Sequence, residues 1–341
     1  MVSIERDKKV DILRALALLG IIIAHINPPT ILLQLRSFDV PLMALLMGTS
    51  FYLTNKDRKI NYFSYINKRF KRLIIPTWQF LTMFFILFFI ISLIRSEAFY
   101  FGIEQIIRSY ILLDGIGYVW IIQVFVAVAF FNPLILEVSQ KIKNNSIYIL
   151  FLIAVYFVYL GLIQISNLLT GPIGVLFEHF VLYTIAYGLI AAIGIRIKQM
   201  SKKEILAIAI ILLGVFIILM FVYDFKLTGT AKYPPTMYYI SYALCVIFGL
   251  YLLLGLRRIF KLFDNKFIYF LSNDSMWIYL WHIIPIYLIE LFGSSMPIIN
   301  ANFVTRFIFV FVIACLLTNI QNKLTKRIQK RKAKRIKVCS N

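Results

Sequence analysis

The sequence predicts an all-α, polytopic integral membrane protein of about ten transmembrane helices, with both termini in the cytoplasm. Three observations lead there. Of 341 residues, 61% are hydrophobic and only 15% charged, with a mean hydropathy of +0.85; a soluble chain is nearer half apolar and a quarter charged. The apolar residues gather into long runs, separated by short polar segments. The 36 Lys and Arg against 15 Asp and Glu give a net charge of +21, and the cations concentrate in alternate segments. On a soluble protein such a surplus points to nucleic acid. Here it follows topology, and no nucleic-acid partner is expected.

A helix needs roughly 20 mostly apolar residues to cross ~30 Å of hydrocarbon. Ten stretches qualify: 10–27, 37–54, 73–95, 116–136, 147–165, 176–197, 205–223, 237–256, 268–292 and 303–321. The first carries Asp11, Arg14 and His25 and lacks a small-x-small cleavage site, so it is a span rather than a signal peptide. Pro28 and Pro29 close it. The second opens at Asp39, and the third follows the basic cluster Lys68, Arg69, Lys71 and Arg72. The fourth includes Trp120 and Pro133. Within the middle region, 140–265, the sixth begins at Glu178-His179 and the other spans carry hydropathy alone. The ninth holds His282, and the tenth leads into a basic tail, giving a membrane domain over 1–322 and a cytoplasmic tail over 323–341. The 103–113 part of the 96–115 loop suits an amphipathic interfacial segment. Cys245, Cys315 and Cys339 make no disulfide framework, two lying in apolar runs and one in the tail.

Orientation follows from the loops. On the side of the N-terminus lie 29 Lys and Arg, including all nine of the tail; the opposite side holds six, Arg36, Arg95, Arg108, Lys226, Lys232 and Arg306. Arg14 alone lies inside a span.

Ionisable side chains inside a span are costly and mark function. Asp11 and Arg14 are three apart and share a helix face. His25 stands eleven residues beyond Arg14, which at ~100° per residue returns to the same stripe about 16 Å along the axis. The other two histidines, His179 and His282, also fall in spans, and with Asp39 and Glu178 they lie from mid-membrane to the outer face. Convergence of all three histidines on one cavity is the expectation. The bland readings are snorkelling for Arg14, a helix N-terminal anion for Asp11, and an interfacial histidine for His25. For the 68–72 cluster they are orientation and attraction to anionic lipid; the sharper reading is a phosphate-binding patch.

Five blocks resemble the membrane-bound acyltransferase-3 family. They are Arg14-x10-His25 in the first span, Phe38-Asp39-Val40-Pro41-Leu42 running to Gly48, and the basic, Pro76-containing start of the third. The fourth is Tyr118-Val119-Trp120 with Pro133, and the fifth is the late block Ser275 to His282. Two positions depart from the family pattern: Met47 stands where Ser is common, and Asp39 where many members carry His.

The resemblance implies transfer of an acyl group, most often acetyl, from cytoplasmic acyl-CoA to a hydroxyl of an extracytoplasmic polysaccharide. A bacterial plasma membrane location goes with it, together with capsular or exopolysaccharide as the first acceptor to consider. Acyl-CoA is then a co-substrate, with no resident cofactor and no metal. Arg14, Lys68, Arg69, Lys71, Arg72 and Trp120 are the expected donor-binding residues. His25 is the expected general base, oriented by Asp39 or Glu178, with Arg14 stabilising charge and His282 bordering the thioester. A covalent acyl-histidine is the mechanistic alternative. The competing function is a transporter or flippase of a lipid-linked saccharide. Acceptor identity, acetyl against succinyl, and oligomeric state stay open.

Overall fold

A computed structural model describes residues 6–339, with side chains described through Gln329. The fold is helical throughout, with no strand among the described residues. The first helices are α1 (Lys8–Ala24), the short α2 (Thr30–Leu35), α3 (Asp39–Asn55) and the long α4 (Tyr62–Arg95). A surface helix α5 (Ile103–Tyr110) precedes α6 (Trp120–Lys141) and α7 (Asn145–Ser166). Then come α8 (Gly171–Phe177), a π-helical turn (Glu178–Leu182), α9 (Tyr183–Arg196) and α10 (Lys202–Val222). The last part holds α11 (Met237–Leu253), α12 (Arg257–Phe263), α13 (Lys266–Asn273), α14 (Ser275–Trp281), α15 (Ile283–Phe292), α16 (Pro297–Asn300) and α17 (Phe303–Cys339).

Every predicted span has a helix in it, yet length and apolarity alone admit eight spans, or nine if the pair α11–α12 with its 100° bend is one. The shortfall lies at α1 and α11, whose 17 residues each reach about 25 Å. The predicted ninth span, 268–292, is broken twice, at Asp274 and at His282. The first break falls in Ser272-Asn273-Asp274-Ser275, short polar side chains that compete with the helix for its own backbone groups. Asp274 accepts a hydrogen bond from Asn322 of α17 at 3.0 Å. The tail from Lys323 continues α17; its charges from Lys330 to Lys337 lie outside the described side chains.

Polar caps fix the ends on the side rich in cations. Asp7 accepts from the amides of Lys9 and Val10, and Asn61, Asn144 and Asn265 cap α4, α7 and α13 in the same way. Ser201 and Glu204 form a capping box on α10. Asp7 also pairs with Lys198, and Lys8 with Asp264, so the first helix and the two later loops meet on one face as their charge predicts.

The inner layer is α1, α3, α6 and α9, with α3 packed most extensively on α9. Small residues permit that approach. A Cβ on Gly48 would lie 2.0 Å from the Ala191 carbonyl oxygen, and one on Gly194 would lie 2.0 Å from that of Leu45. Thr49 donates across the same seam to the Gly194 carbonyl at 2.9 Å. By contrast only 6% of the apolar window of α10 is buried, so this helix faces lipid. Arg196, buried at the end of α9, donates to the carbonyls of Ser139 and Lys143 and to Asn145, tying the α6–α7 turn to α9.

Candidate active site

Two connected cavities lead inward from the cation-rich face. The outermost, about 410 Å³, is lined by Arg58, Lys59, Lys68, Arg69 and Arg72 and by no carboxylate. Arg69 lies over the Tyr65 ring at 5.0 Å, which holds its guanidinium in place. Arg69, Arg72 and Thr54 also line a narrower channel of about 220 Å³ that runs between α1, α3, α4, α6 and α14. Its α3 wall is Met43, Met47, Ser50 and Thr54, a stripe at helical spacing. Its α13–α14 wall is Ser272, Ser275, Met276 and Tyr279.

Arg14 sits in this channel. Its guanidinium donates to Ser50 Oγ at 2.8 Å and Ser272 Oγ at 3.2 Å and faces Asp11 at 3.5 Å. Asp11 is buried, accepts from Ser272 Oγ at 2.7 Å and pairs with Arg6. The carboxylate therefore makes an intramembrane cation tolerable while leaving Arg14 partly exposed to the channel.

One turn beyond Ile21, which lines the channel, His25 ends α1. Its Nδ1 lies 3.0 Å from His282 Nε2, and the two rings stack with centroids 5.2 Å apart. His282 Nδ1 faces the backbone carbonyl of Tyr279, which can only accept. That contact sets the hydrogen polarity: His282 carries its proton on Nδ1, its Nε2 accepts from His25 Nδ1–H, and His25 Nε2 keeps a free lone pair. Tyr118 packs edge-on against His25 at 4.8 Å, held by its hydroxyl bond to Glu290 at 3.2 Å. Tyr279 donates to the Tyr118 carbonyl at 2.5 Å and so ties α14 to the start of α6.

Several expectations need correction. No carboxylate orients His25; His282 does. Asp39, fully buried at the start of α3, pairs at 2.8 Å with Arg36, three residues earlier in the turn after α2. Glu178 accepts from Tyr183 at 2.6 Å, five residues on, a register the π-helical turn provides. His179 does not join the other histidines: its ring lies 3.4 Å from Asp114 and 3.4 Å from Gln123. Trp120 lines neither basic cavity, although Ile121 and Ile122 beside it line the channel, because one residue turns the helix by ~100°. It belongs to the outer end, against Tyr183, Tyr233 and Lys232. Lys71 is exposed and lines neither cavity, and Lys68 lines only the vestibule.

Residues the sequence reading passed over also contribute. Ser50 and Ser272 hold the Arg14 guanidinium, the Tyr279 carbonyl holds the His282 ring, and Arg58 and Lys59, counted only toward topology, complete the vestibule. The stripe 43, 47, 50, 54 carried the signal for the channel wall. At the outer end Lys232 lies over the rings of Trp120 and Tyr233 at 5.1 and 5.0 Å. Burial among those rings lowers its ammonium to about 8.

Fold and site together define a multi-pass membrane protein with a basic channel from one face and, one helical turn beyond channel-lining Ile21, a histidine pair. The sequence profile of the Acyltransferase domain of the acyltransferase-3 family matches residues 7–319. The chain belongs to that family and is a membrane acyltransferase. No curated protein and no solved structure matches it.

Proposed function

We propose that the protein carries an acyl group, most simply acetyl, from cytoplasmic acyl-CoA to a hydroxyl of an extracytoplasmic polysaccharide in a bacterial plasma membrane. The observation that carries the reading is the order of features from the cation-rich face inward: carboxylate-free vestibule, arginine-lined channel as far as Ile21 and Tyr279, and one turn of α1 beyond Ile21 the His25–His282 pair. Five cations around a vestibule suit the phosphates of a CoA, since charge-assisted contacts are the strong ones. The narrower, largely apolar channel with Arg14 suits the extended thioester arm.

In this reading His25 Nε2 takes the proton of the acceptor hydroxyl as its oxygen attacks the thioester carbonyl carbon. The C–S bond breaks, and the departing thiolate takes that proton back from the imidazolium. The acyl ester and free CoA thiol are the products. His282 keeps His25 in the working tautomer and stabilises the imidazolium through the 3.0 Å bond. Arg14, held by Ser50 and Ser272 in the channel wall, gives the route of the donor's arm a fixed positive charge. The test is His25→Ala with membrane insertion verified, alongside the acyl content of the cell-surface glycan by NMR. Loss of acylation is expected, and full acylation by this variant overturns the assignment.

A further inference from the structure

The outer end holds a second, polar cavity of about 330 Å³ that the histidine pair does not use. Ser166 and Asn167 from the end of α7, Glu178 from the π-helical turn, and Tyr233 from the loop before α11 form its polar walls. Gly171, at φ +65°, and Gly174 line it as well. A Cβ on Gly174 would stand 2.7 Å from the Leu169 carbonyl oxygen, so glycine is what lets α8 fold back to close this wall.

Two features connect the cavity with the aromatic cluster at Trp120, which begins α6 two residues after Tyr118, the ring packed on His25. Glu178 is fixed by the Tyr183 hydroxyl at 2.6 Å, and the Tyr183 ring packs on Trp120 and Tyr233 at 6.0 Å each. Tyr233, 51% exposed, is at once a wall of the cavity and part of the aromatic cluster around Lys232. The chemistry of the lining is that of a sugar site: a carboxylate and an amide that pair with hydroxyls, and an aromatic ring for the C–H face. It includes no Lys or Arg, so it suits an uncharged ring.

Building on the acyl-transfer reading above, we propose that this cavity binds a neutral sugar unit neighbouring the one acylated. The acceptor is then recognised as a chain of at least two sugars rather than as a single sugar.

The probe is the surface polysaccharide of the source organism, cut by mild acid and sized into mono-, di- and longer saccharides. With purified protein in nanodiscs and labelled acetyl-CoA, kcat/KM should rise about tenfold or more from one sugar to the longer fractions. Asn167→Ala and Glu178→Gln should remove about tenfold of that gain through the acceptor KM. The monosaccharide rate and the KM for acetyl-CoA should not move. No chain-length preference, or variants that keep the wild-type acceptor KM, overturns the subsite and leaves the chemistry standing. Saturation-transfer NMR with His25→Ala protein reads binding without turnover. Longer saccharides should bind it, and adding Glu178→Gln and Asn167→Ala should abolish that binding. Such binding in the absence of wild-type transfer keeps the subsite and overturns the chemistry; unchanged binding in the triple variant overturns the subsite.

Discussion

Replacing His282 by Phe tests the polarity of the histidine pair. The ring keeps its stacking partner at His25, but Nε2, the acceptor of the 3.0 Å bond, is gone. His25 Nδ1–H then has no partner, and leaving a buried donor unmet costs about 1–3 kcal/mol. The imidazole avoids that cost by moving its proton to Nε2, which removes the lone pair that accepts the substrate proton. In the transition state the lost bond is one to an imidazolium, worth about 1.5–3 kcal/mol. At 1.4 kcal/mol per tenfold, kcat should fall roughly 10- to 150-fold. The KM for acyl-CoA should hold, because His282 lines neither the vestibule nor the channel. The assay is release of CoA thiol by protein in nanodiscs, with His25→Ala as reference, expected to lose about 10²–10⁴. A His282→Phe protein with wild-type kcat, or one altered only in KM, refutes the argument.

Other consequences are more local. Arg69→Ala and Arg72→Ala should each raise the KM for acyl-CoA about tenfold with kcat retained, and added salt should weaken wild-type donor binding in the same direction; a pure kcat effect contradicts the vestibule's role. Gly48→Ala and Gly194→Ala each place a methyl 2.0 Å from a carbonyl oxygen of the facing helix, so α3 and α9 must part. Thermal stability in detergent should drop by about 1–3 kcal/mol or more, with Gly214→Ala, which meets nothing within 4 Å, as the silent control. Lys232, lowered to about 8 from its ordinary 10.5, binds a proton less readily folded than unfolded. The charged form therefore costs stability at neutral pH, and the cost shrinks as pH rises from 8 toward 10.5. Lys232→Met should melt higher than wild type at pH 7, with the gap narrowing above pH 8; a gap independent of pH contradicts the burial argument.

The spans were legible because lipid demands long apolar runs, and each of the ten apolar runs contains a helix. What hydropathy misses is a break that stays apolar on average: Asp274 and His282 interrupt the ninth run, and the second interruption is where the histidine pair forms. Arg14 and His25 were readable as one stripe because they share one helix. His282 was readable only by depth, since its contact spans 257 residues of chain. The orienting carboxylate was misread for a local reason. Asp39 lies three residues from Arg36, and that pairing was open to inspection in the sequence. His179 shows the limit of arguing from depth alone: it lies in the outer half, yet its partners are Asp114 and Gln123 rather than the other histidines.

The central claim is that the acyl group enters from the cation-rich face and leaves on the other. Proteoliposomes with inward- and outward-facing protein separated by tail accessibility can carry labelled acetyl-CoA on one side only and glycan acceptor on the other. Acylated acceptor should form only when the donor meets the face bearing Arg58, Lys59, Lys68, Arg69 and Arg72, and not with His25→Ala. Equal acylation from either side, or acylation by His25→Ala, contradicts it.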